Sequence, residues 1–455
     1  MQQHAQAFQQ ELDRILAYWT THAPDTQFGG FHGQITEKNE VITRAPKGAV
    51  LNARILWTFS AAHRHQPRPE LLALATRAFD YVEQHFLDRE HGGVFWSVDY
   101  TGQPLDTKKQ IYALAFALYG LSEYYAASGN ERALQHAQDL FCCIEQHSFD
   151  PEHGGYLEAL GRDWTPLEDL RLSDKDANEK KTMNTHLHVL EAYTNLYRHW
   201  PDAHLRAQIV ELLEVFLVHI VDPATQHLHL FLDEQWRTKS TAVSFGHDIE
   251  AAWLLLEAAE VLGDENGIDR FRQVAVDMAA AAAQGLDSTG GLSYEFDSAS
   301  NHWNREKHWW VQAEALVGLL NAYQLSGQRR FYEQFVGVWE FTRRYIIDYE
   351  RGEWHWGITE SRALIAGEDK AGFWKCPYHN ARACLEVIRR LSRVPAPHLR
   401  VAPERHAQGA HPVAQRMPQP PRADEADLRG AGGKLRPLQR SPLSTGAPAE
   451  SDDIV

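Results

Sequence analysis

LLALATRAFDYVEQHFLDREHGGVFWSVDYTGQPLDTKKQIYALAFALYGLSEYY, residues 71–125, holds one full copy of the pattern that decides the fold. Its opening carries apolar residues at helical spacing with polar ones between them, which predicts an amphipathic helix. Asp88, followed by Gly92 and Gly93, breaks that helix, and the alternation in GGVFWSVDY predicts a turn into a short strand or hairpin. The closing stretch, IYALAFALYGLSEYY at 111–125, is apolar nearly all round, and a helix of that kind is buried on all faces.

The same punctuation recurs. Asp25 precedes Gly29 and Gly30, Asp150 precedes Gly154 and Gly155, Asp287 precedes Gly290 and Gly291, and Asp348 precedes Gly352. Asp222 opens one more copy, with Gln226 and His227 in place of the glycines. Successive aspartates lie 63, 62, 72, 65 and 61 residues apart, so six units of similar size fill the body of the chain. Apolar helices follow the turns at LNARILWTFSAA (51–62), THLHVLEAYTNLY (185–197), DIEAAWLLLEAAEVL (248–262), HWWVQAEALVGLLNAY (308–323) and YHNARACLEVIRRL (378–391). Six half-buried helices alternating with six buried ones predict an all-α (α/α)6 barrel, two concentric rings with short β-hairpins at the turns. An open solenoid would need polar terminal repeats. The last apolar helix reads as no more polar than the middle ones, so ring closure is expected.

Composition sets the outer limits. The chain has 455 residues, 44% hydrophobic and 23% charged, enough apolar surface for a large core. A net charge of −16 argues against nucleic acid or an anionic membrane as partner. The polar N-terminal stretch MQQHAQAFQQELDRIL lacks the character of a signal peptide, and no apolar run is long enough to span a bilayer. Cys142, Cys143, Cys376 and Cys384 form no CxxC pair, which predicts neither a disulfide framework nor a thiolate zinc site and fits a reducing cytoplasm. Ten of the 20 prolines fall at 395–455, where Phe, Trp and Tyr are absent. The expected division is therefore a catalytic barrel over 1–394 and a disordered tail over 395–455. Gly430, Gly432, Gly433 and Lys434 lack the spacing of a phosphate loop.

In a closed ring the N-terminal ends of the inner helices converge on one funnel. Their first turns present Asn52 and Arg54; Tyr112; Asn184, His186 and His188; His247, Asp248 and Glu250; Trp309, Trp310 and Glu314; and Tyr378, His379 and Asn380. A single histidine at such a place is ordinarily a satisfied core or capping group. Three helices each presenting one at the same relative place point to acid/base chemistry, with Glu250 and Glu314 as candidates to hold tautomers. His186 and His188 lie about 200° apart around a helix, so only one can face the funnel, and His188 shares its face with Asn184.

No HExxH or comparable ligand spacing accompanies them, so no metal is expected, and with no GxSxG or GxGxxG neither a serine nucleophile nor a nucleotide cofactor is read. Trp310 and Trp374 offer flat apolar faces suited to sugar C–H groups, and a neutral polyhydroxylated ligand agrees with the charge balance. The long third unit inserts RLSDKDANEKKTMNT (171–185), a candidate lid that carries Asp176. Two other classes stay open on these residues. One is a glycoside hydrolase using carboxylates among Asp176, Asp248, Glu250 and Glu314; the other is a sugar-binding protein without catalysis.

The segments MNTHLHVLEAY (183–193), SFGHDIEAAWLLLEA (244–258), HWWVQAEALVG (308–318) and GFWKCPYHNARACLEV (372–387), with LNARILWTF (51–59), resemble the cellobiose 2-epimerases of the N-acylglucosamine 2-epimerase superfamily. The likeness extends over residues 5–392, and the run Asn184 to His188 resembles the cellobiose branch in particular. It implies an (α/α)6 barrel that interconverts glucose and mannose at the reducing end of β-1,4-linked disaccharides, without metal or cofactor. It further implies that His247 and His379 exchange the C2 proton and that His188 assists ring opening. By the same resemblance Arg54 and Asn184 bind the open-chain oxygens, Trp310 and Trp374 stack on sugar, Glu250 and Glu314 orient the histidines, and Tyr112 and Asp176 add binding contacts. The partner implied is a disaccharide, met by a monomeric cytoplasmic chain. Monosaccharide 2-epimerases and aldose–ketose isomerases of the same superfamily are the alternative reading.

Overall fold

Twelve helices alternate between an inner and an outer ring in a computed structural model that describes residues 2–392. The proline-rich segment 395–455 lies outside the described residues. The outer helices are α1 (Gln2–His22), α3 (Pro69–Tyr81), α5 (Glu131–His147), α7 (Ala203–Val215), α9 (Glu265–Ala282) and α11 (Arg329–Tyr345). The inner helices are α2 (Ala49–His65), α4 (Ile111–Ser128), α6 (Met183–Tyr197), α8 (Phe245–Leu262), α10 (Trp309–Ser326) and α12 (Tyr378–Ser392).

Local chemistry starts and stops these helices. Asn130, Asp202 and Asp264 cap α5, α7 and α9 by accepting from backbone N–H groups of the first turn. Gly129, Gly263 and Gly327, each left-handed, end α4, α8 and α10 and reverse the chain into the outer ring. Every residue of α4 from Ile111 to Tyr124 is buried, as its all-round apolar sequence requires.

The ring closes. Each inner helix packs on the next, and α12 packs on both α10 and α2, while α1 lies against α12. Trp19 Nε1 donates to Glu353 Oε2 (2.7 Å) and Trp354 Nε1 to Glu11 Oε1 (2.8 Å), and Ile35–Thr36 pairs antiparallel with Asp369–Ala371, so the first and last units are clasped directly. The last inner helix is more polar than its sequence suggested. The helix α12 is amphipathic: its last turns carry Arg389 and Arg390, and its buried face includes Arg382. Closure rests on what α12 touches and not on how apolar it is.

The Asp–Gly turns are sealed by lysines that the sequence reading overlooked. Lys47, Lys109, Lys181 and Lys307 each lie two residues before an inner helix, in a short ladder paired with the next unit. Their ammonium groups meet Asp25, Asp88, Asp150 and Asp287 at 2.8, 2.8, 2.8 and 3.2 Å, and Lys370 meets Asp348 at 2.6 Å. In the copy that lacks the glycines, Val243 stands where the lysine would be, and His227 Nδ1 bonds Asp248 Oδ2 instead (2.6 Å). No helix among the described residues is long and apolar enough to cross a membrane.

Candidate active site

Helical spacing explains which side chains reach the centre. The second residues of α4, α6, α10 and α12 are Tyr112, Asn184, Trp310 and His379, and the sixth residues of α2, α6, α8 and α10 are Arg54, His188, Glu250 and Glu314. Second and sixth places are four apart and share a helix face. His247, third in α8, also lines the cavity, so the three histidines do not hold the same relative place that the sequence suggested. The fourth place points away: His186, Asp248 and Gln312 each accept from a turn backbone N–H, those of Tyr156, Leu228 and Leu292, all at 2.9 Å. Three polar residues at helix mouths are thus fasteners, and His186 and Asp248 leave the list of candidates.

The inward side chains enclose a cavity of about 400 Å³, within the range of small-molecule sites. Arg54, Tyr112, Asp176, Asn184, His188, His247, Glu250, Trp310, Trp374 and His379 all line it. Glu314 stands behind the wall, bonded to His379 and Arg382. The 171–180 loop forms one side, where Asp176 accepts from the backbone N–H and hydroxyl of Ser173 (2.9 and 3.0 Å).

All three histidines are held by Nδ1. His188 meets Glu191 Oε2 (2.9 Å), His379 meets Glu314 Oε1 (2.7 Å), and His247 meets Ser244 Oγ (2.8 Å). Nε2 is left as the free ring nitrogen of each. Glu250, expected to steady a histidine, instead accepts from Arg382 Nη2 (2.5 Å), which lies between it and α12. Arg54 donates to Tyr112 Oη (2.7 Å), while its Nε and the Oδ1 of Asn184 are buried without a protein partner among the described residues, which suits them to a ligand.

Burial disfavours the charged form of all three imidazoles. Loss of solvent, then the charge of neighbouring His188, lowers His247 to about 3. Burial, then Arg54 and Arg382, holds His379 well below the usual range, and burial lowers His188 despite its bond to Glu191. Burial would push Glu191 up, but Arg382 and the bond from His188 prevail and hold it at about 2. Oxygens of Glu250 and Glu314 and a nitrogen of His379 lie close enough to surround a cation, yet the Arg382 guanidinium already donates to both carboxylates (2.5 and 2.7 Å), so the donor set does not fit a metal. The same bonds leave neither carboxylate free to flank a glycosidic bond in the manner of a hydrolase.

A model of the N-acylglucosamine 2-epimerase (GlcNAc 2-epimerase) family matches residues 29–383. The chain belongs to that family. Within it, the chain is 52% identical over 384 residues to the cellobiose 2-epimerase of Bacteroides fragilis, covering 84% of this chain and 98% of that protein. It is 39% identical to the cellobiose 2-epimerase of Ruminococcus albus, with 84% and 97% covered. The solved cellobiose 2-epimerase of Bacillus thermoamylovorans superposes with a TM-score of 0.82 at 37% identity, over 86% of this chain and all of that one. A solved D-mannose isomerase, 21% identical with a TM-score of 0.74, shares the fold.

The epimerase-family barrel also brings further residues to the site, of which Tyr294, His308 and Ser244 had gone unread in the sequence. Tyr294 and Trp356 line the cavity together with His308, which stacks on Tyr294 (centroids 4.1 Å apart). Their signal was positional: Trp96, Tyr294 and Trp356 each stand three residues after the second turn residue of their unit. Glu191 and Ser244, the partners of His188 and His247, lie three residues from the histidines they hold, a spacing a helix and its entry bring together.

Proposed function

We propose that this chain epimerises the reducing-end sugar of β-1,4-linked disaccharides at C2, interconverting glucose and mannose. The observation that carries the reading is three imidazoles from three different inner helices, each held by Nδ1 and lining one cavity with a guanidinium. A C2–H becomes acidic only after the pyranose opens to an aldehyde, so the reaction needs a proton carrier at the ring oxygen, then a base, then a donor for the enediolate. His188 serves the ring oxygen. His247 and His379, mounted on α8 and α12 with α10 between them, take and return the C2 proton from different sides. Glu314 stabilises His379 as it becomes imidazolium, and Arg54, buried against Phe116 and Tyr378, stabilises the enediolate oxygen together with Asn184 and Tyr112.

The second sugar extends toward the mouth, where Trp310, Trp374 and the Asp176 loop meet it. No step requires a metal or cofactor. The chain acts as a monomer, and the four free thiols fit a reducing cytoplasm.

Cellobiose incubated with the enzyme in D2O and followed at C2 by NMR tests the reading. Glucosyl-mannose carrying deuterium at C2 is expected. Released monosaccharide would identify a hydrolase, and the absence of both would leave a binding protein.

A further inference from the structure

Arg382 lines no part of the cavity, yet its side chain is 2% exposed and touches the supports of two of the three histidines. Its Nη1 donates to Glu191 Oε1 and to Tyr378 Oη, and its Nη2 donates to Glu250 Oε1 (2.5 Å) and Glu314 Oε1 (2.7 Å). Glu191 uses its other oxygen for His188, whereas Glu314 uses the same Oε1 for His379. Tyr378 donates to Glu191 Oε1 as well (2.5 Å), closing a network that spans α6, α8, α10 and α12.

We propose that Arg382 is a positioning residue that joins the His188–Glu191 and His379–Glu314 pairs into one hydrogen-bonded unit, so that the ring-opening group and a C2 base are set together. The planar fork is what makes this possible: two nitrogens at fixed separation serve carboxylates on three different helices at once, which a lysine ammonium cannot do. Charge supports the same conclusion. Three carboxylates, each with a side chain 1–2% exposed, meet one guanidinium. Burial pushes Glu250 and Glu314 up, and Arg382 is the main opposing influence on Glu314. Without the guanidinium Glu314 would be pushed further toward its protonated form, and His379 would lose the charged acceptor that steadies its imidazolium. Arg382 touches no reacting atom in this account; it acts through Glu191 and Glu314.

The proposal rests on the epimerase reading for the roles of the histidines, so its test begins with a measurement that needs no turnover. In enzyme labelled with 15N-histidine, the Nδ1 resonances of His188 and His379 are assigned in the resting state. Glu314→Gln is expected to shift the His188 resonance as well as that of His379, and Glu191→Gln to shift His379 as well as His188. In an Arg382→Lys background neither cross-effect should survive. Each variant moving only its own histidine would overturn the proposal, as would cross-effects undiminished by Arg382→Lys. Should Arg382→Lys fail to fold, the two glutamine variants still decide the matter.

In turnover, Arg382→Lys is expected to lower kcat about 10- to 100-fold with KM little changed, the loss of charge-assisted bonds felt in the transition state. A normal kcat would refute the positioning role. If the resonances couple as described but cellobiose is not epimerised, the functional reading fails and the coupling stands.

Discussion

Lys47→Met and Lys109→Met should differ in cost although the two lysines hold equivalent places. Lys47 Nζ contacts Asp25 Oδ2 (2.8 Å) and the Gly29 carbonyl (2.7 Å), with both side chains 1–2% exposed. Methionine fills the stem's volume but leaves the Asp25 carboxylate with only two backbone donors, Gln27 N and Phe28 N, and a histidine nitrogen at 3.8 Å. Removing one partner of a buried pair in this way costs about 3–5 kcal/mol. Asp88 has a second cation: Arg162 reaches it through Nε (2.9 Å) and Nη2 (3.2 Å), so Lys109→Met leaves a compensated carboxylate and should cost about 1–2 kcal/mol. Urea denaturation followed by tryptophan fluorescence, compared at unchanged slope, reads the difference. Adding Asp25→Asn to Lys47→Met should restore part of the loss, because the uncompensated charge is then gone. Equal losses in the two lysine variants, or no recovery in the double variant, would refute the reasoning.

Other outcomes follow from the site and its fasteners. Glu314→Gln should lower kcat for cellobiose about 10- to 100-fold with a smaller effect on KM, since a charge-assisted bond to His379 is lost; steady-state kinetics measures it. His186, fully buried and lowered to about 4 chiefly by desolvation, stays neutral in the fold, while the unfolded chain takes up its proton near 6.5. The unfolded state therefore binds more protons as pH falls from about 6.5 toward 4, and stability should drop by up to about 1.4 kcal/mol per pH unit from this residue. Urea midpoints across that window should fall less steeply in His186→Gln. Finally, kcat/KM should be higher for cellobiose than for glucose, and Trp374→Ala should narrow the gap by removing a stacking face for the second sugar; equal wild-type values would rule out the disaccharide preference.

Much of this molecule could be read from periodicity. The Asp–Gly repeat and the all-round apolar helices announced the two rings, and the two-residue spacing of His186 and His188 told which of them faces inward. The lysine plugs escaped notice because a lysine in a short polar stretch before a helix looks solvated until the preceding turn folds over it. Arg382 escaped for a related reason. Its partners Glu191, Glu250 and Glu314 lie 191, 132 and 68 residues away, and only ring closure brings four helices to one guanidinium. Glu250 was read as a support for a histidine because it stands near the mouth of an inner helix and because the resemblance implied that role; in the structure it meets the Arg382 guanidinium instead.

The joint between the first and last units has a consequence for how activity arises during synthesis. His379 and Arg382 belong to α12, the last helix of the ring, and α12 must seat between α10 and α2 and against α1. A ribosome that has delivered five of the six units has made most of the core but neither His379, the proposed C2 base on α12, nor the cation that joins the buried carboxylates. Until that final helix docks, the inner faces of α2 and α10 and the inner face of α1 are uncovered apolar surface, the state in which a large domain is most exposed to association with its neighbours. Catalytic competence and protection from aggregation therefore arrive in the same event, and a nascent chain arrested before residue 378 should be both inert and dependent on chaperones.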